Sequence, residues 1–380
     1  YFMFVTSKAE LAPTEDQSIL FFQAVAPQTA SLEYNEIYTR EIIDAFEQVP
    51  EYHESFLLLG FGGDDNVVFG GFKMEQPAQR ARSQMEVLPD VQALLSQIAG
   101  FQLAVFPRPS LPGSSGLPFQ FVVQSDADFR EIDEVADQLI GRGMASGQFM
   151  FLRKSIEFSR PKAILVIDRD RAADLGISMA DIGRNLATLL GGNDVNRFSL
   201  DGRSYKVIPQ AERMFRLDPD MLGDFYLRSA NGEQVPLSSL VHVEHAVEPS
   251  KRTQFQQLNS VTIEGLMAPG VSEGQAMAAM EQIAAETLPR SFSFDYTGAT
   301  RQFAQQGSAL VITFFMSLLV IYLVLAAQFE SWRDPLIILV SVPMSIAGAL
   351  AFLTLGFATV NIYTQVGLIT LIGLIAKNGI

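Results

Sequence analysis

Lys377 is the residue whose position most needs a chemical explanation. It closes a run without charge, residues 335–376, and lies ~22 Å along a helix that begins near Ile362, at 1.5 Å per residue. An ammonium inside a bilayer costs on the order of several kcal/mol, so such a lysine is a functional candidate by default. The plainer alternative is a side chain that snorkels to the far interface. A second grouping is Phe56, Phe61, Phe69 and Phe72 around Gly60-Phe61-Gly62-Gly63-Asp64-Asp65. That loop lacks the lysine and serine of a phosphate loop, and its two aspartates would repel phosphate, which leaves a glycine-hinged mobile loop. The phenylalanines fit either an ordinary core or the lining of an apolar ligand cleft.

Other candidates carry less. His242 and His245 flank Glu244, but no cysteine or third nearby histidine completes a metal site, so two solvated histidines and no bound metal are expected. The chain has three histidines and no Gly-x-Ser-x-Gly elbow, which leaves a hydrolase triad unsupported. Asp168-Arg169-Asp170-Arg171 reads as a solvated turn opening a helix. The 13 methionines form no cluster suited to a soft metal.

The elements that position these residues follow from periodicity. Residues 18–27 read as a strand, and Tyr34, Ile37, Tyr38, Ile42, Ala45, Phe46 and Val49 form one helical face. Apolar segments at Ser55–Gly60 and Val67–Met74 follow, then a helix at Ser83–Ile98, kinked or delayed by Pro89, and a strand at Phe101–Phe106. This β-α-β-β-α-β order is a split βαβ, or ferredoxin-like, pattern. A Pro/Gly/Ser stretch at Pro107–Pro118 ends it. The order then restarts with a strand at Phe119–Ser125 and a helical face from Phe129 to Ile140, with strands at Phe149–Phe158 and Ala163–Asp168. It resumes at Gln256–Ala268, Glu273–Thr287 and Phe292–Tyr296. Residues 180–255 read as an insertion, with turns at Gly191-Gly192, Asp201-Gly202 and Asn231-Gly232.

Two charge-free runs close the chain, residues 302–329 and 335–376. A hydrocarbon core of ~30 Å needs ~20 apolar residues in a helix. Three spans are expected, at about 307–327, 335–356 and 363–380, with Trp332 at an interface. The charges beyond Arg301 cancel, so the net charge of −15 lies on the soluble region and argues against nucleic acid as a partner. Without cysteine there is no disulfide. No signal peptide is visible at Tyr1, and the chain reads as a segment of something larger.

Several strings resemble one family. Leu11-Ala12-Pro13-Thr14-Glu15-Asp16-Gln17 is similar to the "LP-x-E-D-Q-G" that opens the second periplasmic loop of resistance–nodulation–division (RND) multidrug exporters. Ile167-Asp168 through Ala172 to Leu175-Gly176-Ile177-Ser178 resembles their "D-x-x-K/R-A-x-x-L-G-I-S", and Val235-Pro236-Leu237-Ser238 their "V-P-L-S/F-S". The segment from Tyr322 to Trp332 is close to their eighth span and its turn, and Gly373 to Asn378 to the "G-L-x-x-K-N" of the tenth. The strings occur in family order across the whole chain.

The resemblance implies an α+β periplasmic porter domain followed by an all-α transmembrane segment. Two split βαβ porter subdomains would occupy residues 1–115 and, in two parts, 116–179 and 256–300. A docking subdomain would be inserted at 180–255, with the transmembrane helices at 301–380. It implies the C-terminal half of an inner-membrane pump, its soluble region in the periplasm, working as a homotrimer with a periplasmic adaptor and an outer-membrane channel. No cofactor is implied; a proton gradient would drive export of amphiphilic compounds. Lys377 matches the lysine that pairs with carboxylates on a fourth span absent from this chain. Phe56, Phe61 and Phe72 match drug-pocket aromatics, and Gly60, Gly62 and Gly63 belong to the switch loop, shorter here and carrying Asp64-Asp65. A metal exporter of the same superfamily and a non-transporting binding or assembly module are the alternatives.

Overall fold

The computed structural model describes residues 3, 7–111, 116–158, 160–249 and 251–378. The chain divides into two compact units, residues 1–157 with 249–380, and residues 158–248.

In the larger unit, the first sheet contains β1 (Ile19–Val25), β2 (Tyr52–Leu59), β3 (Val67–Met74) and β4 (Gln102–Pro107). Its order is β2-β3-β1-β4 with every neighbour antiparallel, and helices α1 (Leu32–Phe46) and α2 (Gln84–Leu95) make the two crossovers. Ser31 caps α1, and Ser83 caps α2 in a reciprocal box with Glu86. The capping box starts α2 ahead of Pro89, so the proline lies inside the helix and does not delay it. The side chains alternate with period two, as strand geometry requires. Leu20, Phe22, Ala24, Val68, Phe72 and Met74 pack beneath Ile42, Phe46, Val87, Val91 and Leu95 of the helices. Ile37, expected on the inner face of α1, is exposed instead; Asn35 and Thr39 are the buried residues of that turn.

The second sheet repeats this topology. It contains β5 (Phe119–Ser125), β6 (Phe149–Lys154), β14 (Leu258–Met267) and β15 (Phe292–Tyr296), in the order β6-β14-β5-β15, again antiparallel. A short strand, β13 (Thr253–Phe255), folds back on the start of β14. Helices α3 (Phe129–Ala145) and α6 (Glu273–Thr287) cover one face, with Ile132, Leu139, Met280 and Ala284 packed on Phe119, Phe121, Val123 and Ile263.

Between β6 and β14 the chain forms the smaller unit, which begins at Phe158 and ends at Glu248. Its boundaries differ from the expected 180 and 255 because β7 (Arg160–Ile167) does not join the second sheet. It pairs over its whole length with β12 (Val241–Glu248). The unit also holds α4 (Arg169–Asp174), α5 (Met179–Leu189), the hairpin of β8 (Asn196–Leu200) and β9 (Arg203–Val207), and the pair β10 (Tyr226–Arg228) and β11 (Gln234–Pro236). Asp201 and Gly202, both at positive φ, form the two-residue turn of that hairpin. Ala172, Ile177, Ile182, Leu222, Leu227, Leu237 and Leu240 form the core of the unit.

Four helices close the chain: α7 (Gly298–Phe329), α8 (Asp334–Leu339), α9 (Ser341–Thr354) and α10 (Ile362–Asn378). Ile312–Phe329 and Asp334–Thr354 are long and apolar enough to cross a bilayer; Ile362–Ile375 is a shorter apolar helix. Only 11 % and 17 % of the two longer stretches is buried within the chain, unlike the core helices of a soluble domain. The second stretch is broken between α8 and α9 because Pro343 has no N–H to offer the carbonyl of Leu339. Residues 379 and 380, the end of the expected third span, lie outside the described residues.

The alternation in β3 sets a direct test. Phe72 is 1 % exposed in the helix-side core, so Phe72→Ala is expected to cost about 3–5 kcal/mol and to lower the melting temperature of the purified protein. Phe69→Ala, on the other face of the same strand, is expected to cost clearly less in the same thermal measurement.

Candidate functional site

The face of the first sheet that bears no helix carries the aromatic residues. Strand alternation brings Phe21 of β1, Phe56 of β2, Phe69 of β3 and Phe106 of β4 to one side. Phe21 lies at the centre, its ring 5.3 Å from Phe69 and 6.4 Å from both Phe56 and Phe106. Phe61, from the glycine loop, stacks on Phe69 at 4.6 Å. Phe56 and Phe61 are each 41 % exposed, and Leu58 adjoins them, so the patch is open at that end. At its other end it is covered by Leu117, Phe151 and Leu266 from the second sheet's side.

Phe72 does not belong to this face. The expectation that it lines a cleft beside Phe56 and Phe61 is corrected: it packs on Phe46 at 5.0 Å and Tyr52 at 5.6 Å beneath the helices. Phe72 follows Phe69 by three positions, an odd step that puts them on opposite faces of a strand. Phe69, with Phe21 and Phe106, takes the place given to Phe72. The period-two pattern of β3 carries that signal once Val68 and Met74 are known to face the helices.

The glycines have separate tasks. Gly60 and Gly62 adopt φ of +74°, where a side chain would be strained. Gly71 lies directly beneath Phe56, and a Cβ there would come within 2.3 Å of the phenyl ring. The loop expected to be mobile is tied at three points. Asn35 Nδ2 donates to Asp65 O at 2.6 Å, Asn66 Nδ2 donates to Ala26 O at 2.8 Å, and Asp64 pairs with Lys251 Nζ at 2.6 Å.

Beside the aromatic patch, the space between the sheets turns ionic. Arg153 pairs with Glu264 at 2.8 Å and Asp64 with Lys251 at 2.6 Å; Lys154, the next residue of β6, turns to the helix side and meets Asp133 and Asp137 of α3, each at 2.8 Å. Gln28, Ser155 and Lys251 share the same small cavity. Burial favours the neutral form of Lys154, but its two aspartates outweigh burial and hold its pKa above the ordinary lysine value. One end of the cleft thus offers area and dispersion to apolar matter, and the other offers paired charges.

Lys377 is in the last turn of α10 and is exposed within the chain, with no ion-pair partner among the described residues. It lies in a different part of the chain from the aromatic face; the two are separate candidates and not one site. His245 approaches Asp220 at 3.7 Å, and the described residues contain no group of three or more His, Asp or Glu side chains placed to hold a metal ion.

Comparison with known proteins gives this geometry a context. A transporter of Haemophilus influenzae is 33 % identical over 386 residues, covering 100 % of this chain and 37 % of the relative. The toluene efflux pump membrane transporter TtgB of Pseudomonas putida is 30 % identical over 388 residues, covering 100 % of this chain and 37 % of its own length. The multidrug export protein AcrF of Escherichia coli is 30 % identical over 397 residues, covering 100 % and 38 %. The chain therefore spans little more than a third of the curated relatives it matches. The AcrB/AcrD/AcrF family matches residues 1–380, the whole chain, and the chain belongs to that family.

Proposed function

We propose that this chain belongs to the C-terminal half of a proton-driven exporter of hydrophobic and amphiphilic compounds. The observation that carries this reading is the aromatic face of the first sheet, open at Phe56 and Phe61 and closed at Phe106. Such a face binds by area and ring contact and sets no fixed hydrogen-bond pattern, so it accepts many apolar shapes. Relatives named for toluene efflux and multidrug export support the substrate class. Phe21, Phe56, Phe61 and Phe69 would contact the compound, and the loop Gly60–Gly63 would be the segment that shifts as it passes.

Lys377 would be the basic member of a proton relay whose carboxylates lie on another segment of the full-length protein. Proton binding to those carboxylates would release the lysine and shift the population of helix arrangements. The two repeated subdomains would be porter subdomains in the periplasm, and residues 158–248 the docking subdomain. The pump would work as a homotrimer in the inner membrane, with a periplasmic adaptor and an outer-membrane channel.

Three measurements in cells and membranes carrying the full-length protein test this reading. Lys377→Ala is expected to abolish resistance to apolar drugs with expression and trimer assembly unchanged; full resistance would remove the relay. An aromatic contact is worth roughly 0.5–1.5 kcal/mol beyond area, so Phe61→Ala is expected to weaken binding of an apolar fluorescent probe by about two- to tenfold. Equal binding would place the ligand elsewhere. Gly71→Ala displaces Phe56 and is expected to alter which drugs are exported more than how much folded protein is made, as read by drug-susceptibility profiles against membrane content.

A further inference from the structure

Glu273 is a buried acid that the export reading does not use. It is the first residue of α6 and is 7 % exposed. One carboxyl oxygen, Oε2, accepts from Leu11 N at 3.3 Å; the other, Oε1, is buried without a hydrogen-bond partner. The N-terminus of α6 does not neutralise the charge with its free amides, because they are already taken. Gly274 N donates to Ala9 O at 3.1 Å, and Gln275 N and Ala276 N donate to Ser272.

The carboxyl closes a junction between three elements. The first is a strap, residues 7–11. On one side the strap is bonded to the turn between α9 and α10: Val360 N donates to Lys8 O at 2.8 Å, Glu10 N to Val360 O at 3.1 Å, and Ile362 N to Leu11 O at 3.3 Å. On the other side it reaches α6 through Ala9, Leu11 and Lys8 Nζ, which donates to Gly270 O at 2.8 Å. The second element is α6 itself. The third is the first turn of α7, where Thr300 stands beside the carboxyl, and its hydroxyl is engaged with Gln120 N and Pro118 O.

We infer that Glu273 is a proton-binding site that fastens the strap, and with it the α9–α10 turn, to the foot of α6. With a proton on Oε1 the buried charge is gone and that oxygen has a hydrogen to donate, while Oε2 goes on accepting from Leu11. Ionised, the carboxylate is buried with one oxygen unpartnered, and it faces the like charge of Glu10 on the strap. Lys8 does not offset this, being turned to Gly270 O, and Arg301 on α7 lies over the Phe255 ring at 5.7 Å. Burial is the larger cause and Glu10 adds to it; together they outweigh the Leu11 N–H and the Thr300 hydroxyl and push the pKa up to about 7 from 4.5. For an acid with a raised pKa, the stabilisation is complete below the ordinary glutamate value and is lost as pH rises through the raised one. The junction should therefore be tight in acid and loosen through neutral pH. This inference stands apart from the export reading and survives its failure.

Hydrogen–deuterium exchange of the full-length protein in lipid nanodiscs tests it, with rates corrected for the intrinsic effect of pH. Between about pH 5.5 and about pH 8.5, protection of the peptides covering residues 8–11 and 359–362 is expected to fall about tenfold or more. In Glu273→Gln it should stay at the acid level throughout. Protection that is independent of pH in the unsubstituted protein, or that falls equally in Glu273→Gln, would overturn the inference. Glu10→Gln provides a second arm that leaves the acid in place. Removing the like charge should move the midpoint of loosening to lower pH, and an unmoved midpoint would also overturn it.

Discussion

A split βαβ layer can cover only one face of its sheet with its own helices. That constraint organises the larger unit. In both sheets the crossover helices are on one side, and strand alternation sends every second residue to the other. The helix-side residues settle into ordinary cores. The residues on the remaining face need some other occupant, and the region between the sheets is where they meet: Phe21, Phe69 and Phe106 against Leu117, Phe151 and Leu266. Part of this face is therefore closed by packing within the unit. The part at Phe56 and Phe61 stays open, and the ionic part is held by Arg153–Glu264 and Asp64–Lys251. A surface of this kind follows from topology and alternation before any ligand is considered.

The repeat also explains where the chain can be interrupted. In the first sheet, β2 and β3 are joined by the glycine loop, whose far end Asn35 ties to α1 and Asn66 ties to the end of β1. In the second sheet the equivalent connection, between β6 and β14, carries the whole of residues 158–248. The cost of closing a connection grows only slowly with its length, so a unit with its own core can be inserted there without disturbing the sheet. The ribbon of β7 and β12 brings the two ends of the insertion side by side, which returns the chain to the position from which β14 can pair.

The helices beyond Gly298 obey a different rule. Their apolar residues are largely exposed within the chain, as expected for helices whose partners are lipid or further protein. They are nonetheless bonded to the sheet-bearing part of the unit: α7 begins against β5 through Thr300 and Gln120 N, and the strap links the α9–α10 turn to α6. A buried carboxyl at such a junction is costly when charged, and the cost depends on pH in a range that cells traverse. Packing that is otherwise ordinary thereby becomes sensitive to protons.

The sequence by itself determined what depends on neighbours along the chain. Periodicity gave the order of strands and helices, Ser83 marked the start of α2, and the charge-free runs marked the apolar helices within a few residues of where they lie. Asp201-Gly202 and Asn231-Gly232 marked turns for the same local reason. Only the tertiary structure decided matters that rest on distant pairing. Whether Phe72 or Phe69 faces the helices depends on which side α1 and α2 cover, and the insertion's limits depend on β7 pairing with residues some 80 positions away. Glu273 shows the difference most clearly: in sequence it is an acidic residue in the first turn of a helix, an exposed and favourable place. Residues 7–11 and the start of α7, remote in the chain, bury it and leave one oxygen without a partner. Local propensity fixes elements because each depends on the residues beside it; burial and charge state depend on what the rest of the chain brings near.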